Sequence, residues 1–106
     1  MGRFRIDRHP IPAIALTTDT SLLTALANDY GFEDVFARQV QGLGAAGDVL
    51  IVFSTSGNSA NLNAAVKKAK EFGLRTVAFI GRNGGVTAGL CDIAIHVPSD
   101  LSLIHI

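Results

Sequence analysis

With 106 residues, of which 48% are apolar, the chain is long enough for one small domain with a buried core, and no more. Its nine basic and nine acidic residues cancel, and no run of like charge indicates a nucleic acid or an acidic membrane surface as a partner. No apolar stretch approaches the ~20 residues of a membrane span, and the first residues lack the pattern of a secretory signal, so neither segment is predicted.

Strand and helix patterns alternate along the first half of the chain. An apolar run at 13–16 predicts the first strand. Apolar residues at 22–26 predict a short helix that ends near Gly31, and helical spacing of apolar residues predicts a second helix over 32–43. Polar residues between these segments predict turns.

The second half continues the alternation. A continuous apolar run at 49–53 predicts a buried strand, and a helix is predicted from about 60 to 72, with Gly73 just past its end. Further strands are predicted at 75–80 and 93–97. This order predicts an α/β fold, a three-layer, doubly wound parallel sheet with helices on its faces.

A cluster of hydroxyl groups lies between the strand at 49–53 and the helix that follows it. The cluster surrounds Gly57 and consists of Ser54, Thr55, Ser56 and Ser59. A helix start offers free N–H groups and a favourable dipole to an anion, and hydroxyls add donors, so the segment indicates a phosphate carried on a small molecule. The same residue types are common in turns and caps, and Ser59 is the expected N-cap under either interpretation. The segment lacks the lysine of a P-loop and is not GxGxxG, so a nucleotide is not the first choice.

Three polar loops follow predicted strands, at 17–20, 54–59 and 81–85. In parallel sheets ligands bind beyond the carboxyl ends of the strands, so these loops predict one common site. The single cysteine, Cys91, excludes an internal disulfide and fits a reducing compartment. We expect it to be a small buried apolar residue.

Several sequence blocks follow one another in a recognisable order over residues 2–100. They include Gly2-Arg3-Phe4, Asn28-Asp29-Tyr30-Gly31-Phe32, Ser54-Thr55-Ser56-Gly57-Asn58-Ser59, Gly81-Arg82-Asn83-Gly84-Gly85 and Val97-Pro98-Ser99. Together they resemble the sugar isomerase (SIS) domain family, whose fold is flavodoxin-like, and within it the phosphoheptose isomerases. The resemblance implies conversion of sedoheptulose 7-phosphate to a manno-heptose 7-phosphate, on the ADP-heptose route to lipopolysaccharide. It also implies a cytoplasmic homotetramer with sites where subunits meet, a sugar-phosphate ligand, and neither nucleic acid nor membrane as a partner.

The resemblance also implies which residues bind the substrate. The positions that match phosphate-binding residues of the family are Ser54, Thr55, Ser56 and Ser59. Asn28 and Asp29 match a pair that contacts the sugar, and Arg3 matches an arginine near the active site. From the residues alone, Asp29 before Gly31 fits a turn better than a site.

The chain also departs from the family pattern. Members carry a histidine and a glutamate on an early helix, and a glutamine and a histidine on a last helix, which supply acid–base groups and bind zinc where it is present. None of that sequence occurs here, so no catalytic or metal-binding residue is assigned and the chain alone is expected to be inactive. The alternative to an enzyme is a non-catalytic SIS protein that associates with the bacterial replication initiator.

These departures give expectations for the fold. Residues 1–100 are expected to form a partial SIS domain, and residues 101–106 a non-native tail. In the family a further strand lies between those matching 13–16 and 49–53. We therefore expect either a gap there or direct pairing of the two segments, and apolar sheet surface without a cover.

Overall fold

A parallel sheet forms the centre of the molecule. The computed structural model describes residues 10–81 and 85–97. Within them, strands β1 (Val49–Ser54), β2 (Arg75–Ile80) and β3 (Ile93–His96) form one sheet in the order β1-β2-β3, and both pairs are parallel. The predicted α/β class with a parallel sheet is confirmed. Three of the four predicted strands, at 49–53, 75–80 and 93–97, agree with the observed ones to within one residue at each end.

Four helices accompany the strands. They are α1 (Thr20–Tyr30), α2 (Val35–Leu43), which a 3₁₀ turn at Phe32–Asp34 precedes, α3 (Ala60–Glu71) and α4 (Gly85–Leu90). Asp19 is the N-cap of α1, and its carboxylate accepts the Leu22 N–H at 3.0 Å. The sequence did not predict α4, because its six residues include two glycines and are too few to show a helical period. No described helix is long and apolar enough to cross a membrane.

The described helices that pack on the sheet do so on one face. Strands alternate their side chains between two faces, and Val52, Ala78 and Ala94 lie on the face that packs against Val66 of α3 and Leu90 of α4. A second buried cluster joins α2 to α3 through Val40, Ala65, Ala69 and Leu74. These two clusters form the core among the described residues.

The other face of the sheet is apolar and uncovered in the described part of the chain. We call it the open sheet face, and it consists of two registered rows, Ile51–Val77–Ile93 and Phe53–Phe79–Ile95. The rings of Phe53 and Phe79 stack with centroids 5.1 Å apart, yet Phe53 is 64% exposed. The expectation of apolar sheet surface without a cover is confirmed for these residues.

The strand predicted at 13–16 is wrong. These residues form no strand, and Ile14 is largely exposed. An apolar run becomes a strand only when a neighbouring strand completes its hydrogen bonds, and within residues 10–81 and 85–97 the only strand that pairs with β1 is β2. Gln39 holds the segment instead, because its buried Nε2 donates to the Leu16 carbonyl at 2.9 Å. The direct pairing of 13–16 with 49–53 does not form, and the second edge of β1 stays unpaired among the described residues.

Several predictions lie outside the described residues. They concern Arg3, residues 82–84 of the expected glycine-rich turn, and the tail at 101–106. Cys91 is half-buried against the sheet cluster rather than fully buried.

Candidate functional site

The hydroxyl-rich segment lies where the sequence placed it, between β1 and α3. Ser54 is the last residue of β1, and residues 55–59 connect it to the helix. The loop that follows β2 lies beside it, because the Gly81 N–H donates to the Ser54 carbonyl at 3.1 Å. The third predicted loop, at 17–20, makes no hydrogen bond to residues 54–59. Two of the three polar loops are therefore hydrogen-bonded to each other, and the expectation of one common site for all three stays a prediction.

Two hydroxyl groups shape the segment from within. The Ser54 Oγ accepts the Gly57 N–H at 2.9 Å, and the Ser56 Oγ accepts the Asn58 N–H at 3.1 Å. Ser54 is only 4% exposed, whereas Ser56 is exposed. A hydroxyl that accepts a bond keeps its own hydrogen for donation, so both can still donate to a ligand.

Free donors begin α3. Ser59 is the N-cap as predicted: its backbone is extended and its carbonyl accepts the Asn63 N–H at 3.0 Å. Its hydroxyl makes no capping bond. The N–H groups of the first helical turn, at residues 60–62, have no hydrogen-bond partner among the described residues. These amides and the helix dipole would favour an anion at this point.

The backbone of this segment lies very close to the backbone that follows β2. A Cβ on Gly81 would lie 2.2 Å from the Thr55 carbonyl oxygen. A Cβ on Gly85 would lie 2.5 Å from the Gly57 carbonyl oxygen, and Gly85 has a φ of +59°. Only glycine fits at either position.

Residues of α4 also bind the segment, and sequence reasoning missed them. The Val86 N–H donates to the Asn58 Oδ1 at 3.1 Å, and the Thr87 N–H donates to the Gly57 carbonyl at 2.9 Å. No feature of the sequence signals these bonds, because they join residues about thirty positions apart in a segment without period.

Asn28 and Asp29 lie in the last turn of α1, and both are exposed. The Asn28 Nδ2 lies 3.5 Å from the Asp29 Oδ1, and no hydrogen bond joins either residue to the hydroxyl-rich segment. The turn begins after them, at Gly31 with a φ of +92°. Ser54, Thr55, Ser56 and Ser59 thus lie on one connecting segment, to which neither Asn28 nor Asp29 is hydrogen-bonded. The binding roles of all six residues stay predictions.

The described residues do not fit a zinc site. No three of their histidine, cysteine, aspartate or glutamate side chains lie close enough to hold a metal ion. Zinc remains an expectation of the resemblance.

A polar cluster at the amino end of β2 has perturbed acidities. The Asp92 Oδ2 accepts the Thr76 N–H at 2.9 Å and the Thr76 hydroxyl at 3.2 Å, while the Asp92 N–H donates to that hydroxyl at 2.8 Å. The Thr76 N–H chiefly holds the pKa of the Asp92 carboxyl below its usual value. Burial raises the pKa of the Cys91 thiol. The cluster lies at the strand end opposite the hydroxyl-rich segment and connects the start of β2 to the residues before β3.

The class of the protein follows from the fold and from sequence similarity together. The profile of the SIS domain matches residues 1–81, and the chain belongs to this family. Its structure superposes on a phosphoheptose isomerase from Francisella tularensis with a TM-score of 0.88, at 42% identity, over 94% of this chain and 54% of that one. The corresponding enzyme from Neisseria gonorrhoeae gives a TM-score of 0.79 at 54% identity, over 81% of this chain and 48% of that one.

Curated relatives point to one activity within the family. The phosphoheptose isomerase of Pelobacter propionicus is 54% identical over 99 residues, and that of Helicobacter pylori (strain HPAG1) is 56% identical over 99 residues. Each match covers 93% of this chain and 52% of the relative. The chain thus spans about half the length of these enzymes.

Proposed function

We propose that this chain supplies the phosphate-binding part of a phosphoheptose isomerase, which converts sedoheptulose 7-phosphate to D-glycero-manno-heptose 7-phosphate. The observation that carries the proposal is the segment at 54–59. There, at the end of β1, hydroxyl groups lie together with amides of α3 that have no hydrogen-bond partner in the described part of the chain. Identities of 54% and 56% to enzymes of this name support it.

The proposed chemistry divides the substrate into a bound end and a reacting end. A base removes a proton from the carbon next to the ketose carbonyl, an enediol forms, and an acid returns a proton to the former carbonyl carbon. Such acid–base catalysis typically contributes ~10²–10⁴-fold to the rate. The phosphate lies at the far end of the sugar from these carbons, so the hydroxyl-rich segment would bind and orient the substrate without taking part in proton transfer.

The setting of this activity is also proposed. The resemblance to the family supports a cytoplasmic homotetramer that acts on the route to lipopolysaccharide. Its partner would be a sugar phosphate rather than nucleic acid or membrane. The initiator-associating alternative shares the phosphate-binding segment. No described residue favours it, and the relatives named above are isomerases.

A chimeric protein tests the proposal in a complete enzyme. The chimera is the full-length isomerase of Pelobacter propionicus in which the 99 matching residues are replaced by those of the present chain. We call it the completed chimera. We expect it to convert sedoheptulose 7-phosphate, measured by chromatography of the sugar phosphates. The 106-residue chain alone should give no turnover above a protein-free blank.

Substitutions locate the phosphate. Ser56→Ala should weaken heptose phosphate binding by ~1–3 kcal/mol, because a buried polar group of the ligand loses its partner. Thr55→Val serves as a second variant, because the Thr55 side chain makes no hydrogen bond within the segment, whereas the Ser56 Oγ also accepts the Asn58 N–H. Ser21→Ala, at an exposed position on α1, is the matched control. Calorimetric affinities unchanged in both loop variants would exclude this segment as the phosphate site.

A further inference from the structure

A buried hydroxyl lies directly behind the hydroxyl-rich segment. Thr87 of α4 is 0% exposed. Its Oγ1 lies 2.8 Å from the Gly57 carbonyl oxygen, and its backbone N–H donates to the same oxygen at 2.9 Å. The Oγ1 also contacts the side-chain amide of Asn63, on the first turn of α3. One hydroxyl therefore contacts both the turn and the helix that would hold the anion.

The chemistry of these groups fixes the direction of the bonds. A hydroxyl has one hydrogen, so it cannot donate to the Gly57 carbonyl and to an Asn63 oxygen together. The Asn63 Oδ1 is the atom that faces the Thr87 Oγ1. Both contacts are satisfied once the amide is rotated by half a turn, so that its Nδ2 donates to the Thr87 Oγ1 and that hydroxyl donates to the Gly57 carbonyl. The result is a chain of bonds from α3 through α4 to the turn.

With this chain of bonds, both the N–H and the carbonyl of Gly57 are held by hydrogen bonds. The Gly57 N–H is held by the Ser54 Oγ, and Gly57 has a φ of +71°. Its carbonyl accepts two bonds from Thr87, and the next residue, Asn58, accepts the Val86 N–H. Thr55 and Ser56, by contrast, are exposed on the segment.

We infer that Thr87 and Asn63 are positioning residues, which preset the turn at Gly57 and the start of α3 for a phosphate group without touching it. The inference rests on the proposed function, because it assumes that this segment binds the substrate phosphate. Pre-ordering a binding loop raises affinity by removing the cost of ordering it on binding.

Three substitutions test whether the Thr87 hydroxyl itself, rather than the shape of the side chain, affects phosphate binding. Thr87→Val keeps the shape but removes the hydroxyl, and we expect inorganic phosphate to bind roughly tenfold more weakly. Thr87→Ser keeps the hydroxyl and should bind within about twofold of the unsubstituted protein. Asn63→Asp offers only acceptors, so the hydroxyl turns to the carboxylate and the Gly57 carbonyl keeps only its bond from the Thr87 N–H. The added charge also repels phosphate, so binding should weaken more than in the control Asn61→Asp, which adds the same charge to the same turn.

Controls distinguish positioning from general loss of stability. Thr24→Val removes an exposed hydroxyl that bonds to carbonyls of α1. Val66→Ala removes core volume beneath α3, at a residue that is fully buried. Both should leave phosphate affinity unchanged, although Val66→Ala should lower the thermal midpoint.

The experiment titrates each variant of the completed chimera with inorganic phosphate and records its thermal midpoint. Weak binding by Thr87→Val and Asn63→Asp, with recovery in Thr87→Ser, would support the inference. Equal binding by Thr87→Val, equal loss in Thr87→Ser, or equal loss in Val66→Ala would overturn it. If Thr87→Val does not fold, the loss in Asn63→Asp beyond that in Asn61→Asp carries the same comparison, and equal losses in these two variants would overturn the inference. Absence of phosphate binding in the unsubstituted chimera would instead overturn the proposed function.

Discussion

Replacement of Gly81 by alanine tests the backbone contact on which the site is built. The new Cβ would lie 2.2 Å from the Thr55 carbonyl oxygen, and such atoms essentially never approach within 3.0 Å. The two backbones must therefore separate, although the Gly81 N–H donates to the Ser54 carbonyl at 3.1 Å. Neither partner is the flexible end of a side chain, so the strain cannot be relieved by a rotamer change.

The magnitude follows from these two contacts. Overpacking typically costs about 1–3 kcal/mol, and a strained or broken hydrogen bond costs about 1 kcal/mol more. We therefore expect Gly81→Ala to lower the unfolding free energy of the completed chimera by about 2–4 kcal/mol. Phosphate binding should weaken as well, because the Thr55 backbone moves.

Gly42→Ala is the matched control. Gly42 lies on α2, and a Cβ there would meet nothing within 4 Å. Alanine is the better helix former, so this variant should be more stable by up to about 1 kcal/mol and should bind phosphate normally. Urea denaturation and phosphate titration measure both quantities. Equal stability of the Gly81→Ala and unsubstituted proteins would refute the backbone contact between the two loops.

Three further predictions concern other parts of the molecule. The folded-state pKa of Asp92 is lowered, so its contribution to stability is present above its unfolded pKa and is lost as pH falls through the folded value. In the completed chimera, Asp92→Asn should make the unfolding free energy less sensitive to pH below about pH 4 than in the unsubstituted protein. Plots of unfolding free energy against pH that run parallel for the two proteins would contradict this. Cys91 should react with a disulfide reagent at neutral pH more slowly than free cysteine, because burial raises its pKa; equal rates would be the contrary result. The 106-residue chain should self-associate through its open sheet face, and Ile51→Thr with Phe53→Thr should reduce association in size-exclusion chromatography; a monomer without the substitutions would show that the face is covered.

Sequence patterns predicted the parts of the fold that depend on local chemistry. The helix α3 has a clear apolar stripe, in which Ala65, Val66 and Ala69 are buried, and β2 has a continuous apolar run. The strand at 13–16 has an equally clear pattern and did not form, because a strand also requires a partner that local sequence does not specify.

The same distinction applies to the candidate site. The hydroxyls of the 54–59 segment were predictable, since their residue types and their position after β1 are both local. The contacts of Gly81 and Thr87 with this segment depend on how β1 pairs with β2, so no spacing rule could locate them.

The alternation of side chains at the end of β1 connects the open sheet face to the hydroxyl-rich segment. Ser54 is buried beneath the loop, while its neighbour Phe53 belongs to the open sheet face. A segment that covers that face would thus press on the residue next to the first hydroxyl of the loop. Since packed interiors transmit strain, we expect the fit of such a cover to influence the geometry of the loop that is proposed to bind phosphate.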